Sequence, residues 1–220
     1  MVNTRKLLPF ILLIGVLPAL PGMEWTSWNF NLGFSWQYNA SIGDEADRKQ
    51  PSVLKFQPGA SVKGQFTEGK GGFFFAPGGW FSWGAEDLEQ GIARPSEDAE
   101  RDHMKVLGLM LDGFFGYGWN LGGITLDFMF GPSFYARFPL WTAQLGTAEP
   151  ADFWKAYYAK GEFLHLGLAF DVLFPLSEQM DFGAGIRIYQ PLSGFWTEAP
   201  AFHGFQAGLL ARIAFHIPSE

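Results

Sequence analysis

From Trp28 the chain alternates with a period of two residues. Trp28, Phe30, Leu32, Phe34, Trp36 and Tyr38 are apolar or aromatic, while Asn29, Asn31, Gly33, Ser35 and Gln37 between them are polar or small. Successive side chains point to opposite faces only in a β-strand, so one face of this segment meets an apolar medium and the other does not. The same rhythm returns along most of the remaining sequence. Which medium lies on each side of the sheet decides the class of protein.

Eight strands follow from the pattern: residues 24–39, 53–66, 72–84, 104–119, 124–138, 157–174, 180–192 and 203–217. The third is the least regular, because Phe73-Phe74-Phe75 and Trp80 blur its phase. Its best phase sets Phe73, Phe75, Phe81 and Trp83 against Phe74, Ala76, Gly78, Trp80 and Ser82. The connections alternate in length. Residues 67–71, 120–123 and 175–179 are tight turns, whereas 40–52, 85–103, 139–156 and 193–202 are longer. Antiparallel strands joined in this way close as an up-and-down barrel. Short turns and both termini then share the periplasmic side, and the long loops face outwards.

The N-terminus reads as an address. Arg5 and Lys6 precede an apolar run over residues 7–20, and Ala19-Leu20-Pro21-Gly22 supplies small and turn residues for cleavage near Gly22 or Met23. The run falls short of the ~20 residues that a spanning helix needs, which favours a cleaved signal over an anchor. Residues 1–22 are therefore expected to be a signal peptide, and residues 23–220 a single barrel domain. The chain has no cysteine, so neither a lipidated cysteine nor a disulfide braces the exported part. Such a domain needs a sizeable core or a bilayer to hold it. The formal charge is −7, and −9 once Arg5 and Lys6 leave with an acid-free leader. That acidic balance gives no footprint for nucleic acid.

A water-facing barrel of the lipocalin kind would show the same period turned inside out. Its outer face would carry several Lys and Glu per strand, yet the polar phase here is mostly Gly, Ser, Ala, Asn and Gln. Small residues suit the crowded lumen of an eight-stranded barrel. The apolar phase brings Trp28, Tyr38, Trp83, Tyr117 and Trp119 near strand ends, the depth at which amphipathic rings meet lipid headgroups. The expected fold is all-β: an eight-stranded antiparallel up-and-down transmembrane barrel. Pro58, Pro77, Pro132 and Pro191 fall inside strands, where each removes a ladder donor, and bulges are expected to absorb them.

The polar phase also collects Lys55, Lys63, Asp112, Asp127, Arg137, His165, Asp171, Asp181, Arg187 and Arg212. Unpaired charge in a narrow lumen is costly, whereas a paired network plugs the barrel and fixes its register. The expected plug comprises Lys63, Asp112, Asp127, His165, Asp171, Asp181, Arg187 and Arg212. Counted from the turns, Lys63, Asp127, Asp171, Asp181 and Arg212 lie towards the periplasmic end, with Asp112, His165 and Arg187 higher. The four histidines are scattered, with His103 and His203 at loop ends and His216 near the C-terminus. Neither a nucleophile elbow, a His-Glu-x-x-His helix nor a Cys-based metal spacing occurs. Gly116-Tyr117-Gly118 and Gly183-Ala184-Gly185 lack the third glycine and following helix of a dinucleotide loop. No catalytic residue, metal or cofactor is expected.

Two loops are acidic, with Asp44, Glu45 and Asp47 in the first and Glu86, Asp87, Glu89, Glu97, Asp98, Glu100 and Asp102 in the second. Solvated surface is the plain reading of such loops. The third loop carries Trp141, Phe153, Trp154, Tyr157 and Tyr158, and the fourth carries Phe195, Trp196 and Phe202. Exposed aromatics at that density either rest on the outer leaflet or line an inlet for a hydrophobic solute, and leaflet contact is favoured.

Phe182-Gly183-Ala184-Gly185-Ile186 resembles a strand motif frequent in small outer-membrane barrels. Gln206-x-Gly208, followed by Ala211, Ile213, Phe215 and Ile217, resembles the C-terminal strand signal read by the barrel-assembly machinery. Pro218-Ser219-Glu220 follow where an aromatic residue usually ends such chains. On these residues the mature chain resembles the small eight-stranded outer-membrane proteins of the OmpA, OmpX and OmpW type. The resemblance implies an outer-membrane location in a diderm bacterium, with outer-membrane lipid and the barrel-assembly machinery as partners. OmpW relatives pass small hydrophobic molecules, a situation that the aromatic outer loops resemble. OmpX relatives serve in adhesion and surface defence, and the ionic lumen resembles theirs. The leading expectation is a non-enzymatic barrel with at most restricted passage of small hydrophobic solutes. The alternative is a surface protein that binds an extracellular partner through its loops.

Overall fold

The computed structural model describes residues 22–38, 53–66, 71–89, 92–95, 104–140, 150–158, 161–197 and 202–218. The expected leader, apart from Gly22, lies outside the described residues, as do Trp141 and most of the two acidic loops. The strands are β1 (Glu24–Tyr38), β2 (Val53–Gln65), β3 (Gly72–Glu89), β4 (Ile92–Pro95), β5 (Met104–Asn120), β6 (Thr125–Leu140), β7 (Leu164–Ser177), β8 (Met180–Pro191) and β9 (Phe205–His216). One helix, α1, spans Pro150–Tyr158, and a 3-10 turn spans Ser193–Phe195.

Every pairing is antiparallel. The order runs β2-β1-β9-β8-β7-β6-β5-β3, and a β2–β3 pairing closes the ring of eight. β4 stands outside that ring, folding back on the end of β3 to pair with Glu86–Glu89. The short β7–β8 turn, the start of β1 and the end of β9 share one rim: Gln179 accepts from the His216 N–H, and Thr26 from the Ile217 N–H. At the same end, the β5–β6 turn places Gly122 and Gly123 at φ of +64° and +109°, a region that side chains disfavour.

The two phases of each strand part as their residue types dictate. Trp28, Phe30, Leu32, Phe34, Trp36 and Tyr38 are exposed on the outside of the wall, while Ser27, Asn29, Asn31, Ser35 and Gln37 are buried in the lumen. Phe128 and Phe130 alternate in the same way with Asp127 and Met129, as do Leu166, Leu168 and Phe170 with His165, Ala169 and Asp171. β3 keeps the expected phase at Phe73, Phe81 and Trp83 outside and at Phe74, Trp80 and Ser82 inside, whereas Phe75, expected outside, is buried. The barrel is therefore apolar without and polar within, the reverse of a barrel that dissolves in water.

Three expectations are corrected. The sixth strand starts at Leu164, not at residue 157, because residues 150–158 are helical. The third strand runs on to Glu89, so Glu86 is a buried strand residue rather than part of a solvated loop. Among the described residues the register shifts at Trp25/Ser27 and Pro175/Ser177, not at the four interior prolines. Two of those prolines coincide instead with interrupted ladders. The β5–β6 register skips Pro132 and its partner Gly113, where a methyl on Gly131 would overlap the Gly113 carbonyl. The β2–β3 register skips the position of Pro77 and ends just short of Pro58. Losing a ladder hydrogen bond is the direct effect of a residue without N–H.

Candidate functional site

The lumen holds most of the chemistry, and it is layered. At the end with the short turns, Lys63 Nζ donates to both oxygens of Asp127, at 2.7 and 2.6 Å. Asp127 stands opposite Asp171 across the β6–β7 ladder. Asp171 is fully buried and takes Arg187 Nη1 at 2.6 Å and Nη2 at 2.9 Å, and it also pairs with Arg212. Arg212 Nε donates to Asn31 Oδ1 at 2.7 Å. Three cations and two carboxylates thus share one network, which includes Arg187 although its strand position is higher. Asp181 lies apart and faces His216 Nε2 at 3.2 Å, close to the rim.

Above this network the lumen turns apolar. Phe74, Trp80, Met110, Phe114, Met129, Tyr135, Ala169, Tyr189 and Leu210 pack into one buried cluster. Asp112 is set into this layer and accepts from Trp80 Nε1 at 2.8 Å and Tyr189 OH at 2.9 Å, with no cation in ion-pair contact among the described residues. The small residues and ionic plug expected from the sequence thus share the lumen with a layer of rings. The inward phase of β3, β6 and β8 already carried Phe74, Trp80, Tyr135 and Tyr189, and that signal was available. The glycines explain how bulky rings fit. A methyl on Gly167 would overlap the ring of Phe114, and one on Gly116 would sit 2.5 Å from the ring of Phe74.

The end opposite the short turns carries a cap. Arg137 reaches Glu86 and Glu162, each at 3.8 Å, and its guanidinium lies 4.1 Å from the ring centre of Tyr157. Phe153 and Tyr157, one helical turn apart on α1, are 2% and 0% exposed and pack on Ala93, Met104 and Val106. The Tyr158 hydroxyl donates to the Arg137 carbonyl and accepts from its N–H. Burial, with the Glu86 carboxylate nearby, raises the Tyr157 hydroxyl far above its ordinary range. Burial also raises that of Tyr158. Both rings stay neutral at any physiological pH. His165 sits below this cap, edge-on to Tyr135, with Nδ1 3.4 Å from the Phe163 carbonyl.

The loop aromatics therefore divide. Phe153 and Tyr157 are cap residues, buried rather than free for leaflet contact, because a helix puts both on the face that covers the mouth. Trp154 is exposed and stacks on Tyr158, with ring centres 5.4 Å apart. Phe195, Trp196 and Phe202 remain 80%, 54% and 60% exposed. Trp141 lies outside the described residues.

Two small voids in the lumen are lined by described residues. One void of about 30 Å³ lies among Gln37, Tyr135, Arg137, His165 and Gln206, and another of about 10 Å³ lies beside Gln57, Trp80 and Arg187. The first has room for a water or two, the second for barely one. Among the described residues no three His, Asp or Glu converge as a metal site.

No family model and no curated protein sequence matches the chain. Solved structures do. The crystal structure of Neisserial surface protein A superposes with a TM-score of 0.54 at 13% identity, covering 90% of this chain and all of that one. Ail, the attachment invasion locus protein of Yersinia pestis, solved with the heparin analogue sucrose octasulfate, gives a TM-score of 0.45 at 5% identity. It covers 88% of this chain and all of its own. The ring closure, strand order and first of these likenesses together show that this chain has the fold of the small eight-stranded outer-membrane β-barrels.

Proposed function

We propose that the protein spans an outer membrane as an axially sealed, non-enzymatic barrel and acts where its outer rim meets lipid and surface partners. The observation that carries this reading is the lumen's filling among the described residues: ion network, aromatic layer and helical cap follow one another, and the two voids lined by described residues have room for water alone. Membrane placement is supported by dimensions. Trp28 and Tyr38 are ten residues apart on β1, about 33 Å along a strand. At a strand tilt of roughly 40° that becomes about 25 Å along the axis, the height of the apolar band of such barrels. The exposed rings of Trp154, Phe195, Trp196 and Phe202 give the outer rim a surface for headgroups or for a partner. A signal peptide over residues 1–22, an extracellular position for the long loops and periplasmic termini belong to the same proposal.

Restricted passage of small hydrophobic solutes is the second reading. One observation favours it, a stretch between β2 and β3 that lacks ladder pairs among the described residues and so weakens the wall at its side. Planar-bilayer conductance and hydrophobic-solute uptake separate the two. The sealed barrel predicts no conductance steps and no uptake above that of empty vesicles. Steps that vanish in the Trp154→Ala or Trp196→Ala variant would instead establish passage. Loss of cell or matrix attachment after the Phe195→Ala/Trp196→Ala double substitution would support the rim as the working surface.

A further inference from the structure

The β2–β3 ladder runs from Gln65–Phe74 up to Gly59–Trp80 and stops. β1 still holds β2 as far as Val53, and β5 holds β3 as far as Glu86, so both strands continue with one edge bare among the described residues. β4 takes up that edge of β3 only from Glu86 onwards. Among the described residues, Phe81 to Ala85 therefore have no ladder partner on this side, a gap in the hydrogen bonding of about 16 Å along the strand. Extending the register across it sets Gln57 against Ser82, Phe56 against Trp83, and Lys55 against Gly84. Gly84 lies on the inward phase, yet a methyl placed on it would meet nothing within 4 Å.

The gap has two kinds of rim. Leu54, Phe56, Phe81 and Trp83 are exposed on its outer side, and Lys55, Gln57 and Ser82 are buried on its inner side. Lys55 is 6% exposed, and its ammonium is held by neutral groups: Gln37 Oε1 at 2.8 Å, Tyr135 OH at 3.2 Å, and the Tyr135 ring centre at 5.6 Å. The other four inward cations, Lys63, Arg137, Arg187 and Arg212, each have a carboxylate within ion-pair distance. Glu86, the acid at the upper rim of the gap, leans on Arg137. A desolvated ammonium without a counter-charge favours an anion, and bare strand edges facing hydrocarbon need polar partners.

We infer that this gap binds an anionic amphiphile, its acidic head against Lys55 beside Gly84 and its alkyl chain along Leu54, Phe56, Phe81 and Trp83. The inference adds a ligand class to the proposed function and rests on its lipid-facing placement. The test uses the purified protein in nanodiscs of zwitterionic phosphatidylcholine, with brominated dodecyl phosphate as the probe. Quenching of Trp83 is isolated by difference from the Trp83→Phe variant. Saturable quenching is expected in the wild type and in Lys55→Arg. Affinity should fall about tenfold in Lys55→Gln, the loss expected for one charge-assisted contact, and quenching should vanish in Gly84→Leu, whose side chain fills the gap. Heat-modified gel mobility establishes that each variant is folded. Brominated dodecanol should bind far more weakly, and inorganic phosphate should not compete. Equal quenching in wild type and Lys55→Gln, or displacement by inorganic phosphate, overturns the inference. Protein that enters the bilayer but binds no probe overturns the gap alone, whereas protein that fails to enter overturns the membrane placement and the gap together.

Discussion

Asp171 shows how charge is tolerated inside this wall. Its carboxylate is fully buried and answers two guanidiniums, Arg187 through paired hydrogen bonds and Arg212 through an ion pair. Asp171→Asn would keep the shape and leave two buried cations facing an amide. A loss of about 3–5 kcal/mol is expected, read as a fall in the urea midpoint of the barrel in micelles. Glycine is required close by for a steric reason, since a methyl on Gly185 would overlap Asp171 Oδ1. Gly185→Ala should therefore cost about 1–3 kcal/mol in the same measurement. Gly84→Ala meets open space and should change stability by less than about 0.5 kcal/mol. Equal effects at the two glycines would contradict the packing described around Asp171.

At the scale of elements, the cap helix is the least anticipated part of the molecule. Phe153 and Tyr157 repeat at four residues, as do Trp154 and Tyr158, and Pro150 stands at the first helical position. That spacing is helical, and it was readable. The run of aromatic residues leading into β7 masked it, because large apolar residues also open a strand. Phe153→Ala or Tyr157→Ala should unlatch α1 from Met104 and Val106 without opening the barrel. Trypsin should then cut at exposed Lys155 about tenfold faster or more, given that core truncations of this kind cost about 2–5 kcal/mol. The urea midpoint of the strands should stay in place. Coincident loss of both signals would make α1 part of the barrel's cooperative unit instead of a lid upon it.

The wall strands were legible for the opposite reason. Their outer phase has one task, to be apolar, and it is nearly unbroken in β1, β6 and β7, so period alone located them. Interior contents were less legible, because a lumen accepts either ion pairs or rings provided the volumes match. Phase assigned Lys63, Asp127, Asp171, Arg187 and Arg212 to the inside, but side-chain reach, which phase does not encode, takes Arg187 down to Asp171 and sets Asp112 against Trp80 and Tyr189. The interrupted ladder near Lys55 lies between the consecutive strands β2 and β3, with Pro58 and Pro77 as its faint local trace.

For the molecule as a whole, everything depends on which medium touches the apolar phase. The chain contains no cysteine, so single cysteines placed at Phe30, Leu32, Phe34, Leu168 and Ile186 carry a spin label at those positions alone. Each side chain is exposed at mid-strand, where a label perturbs little of the core. Collision of the label with oxygen and with a water-soluble nickel chelate, measured on the protein in lipid vesicles, reports the surrounding medium directly. The lipid-facing barrel predicts frequent oxygen collisions and almost none with nickel at all five sites, with the balance reversed at Glu178 in the β7–β8 turn. Nickel collisions at Phe30, Leu168 and Ile186 equal to those at Glu178 would put water against the outer wall and contradict the account.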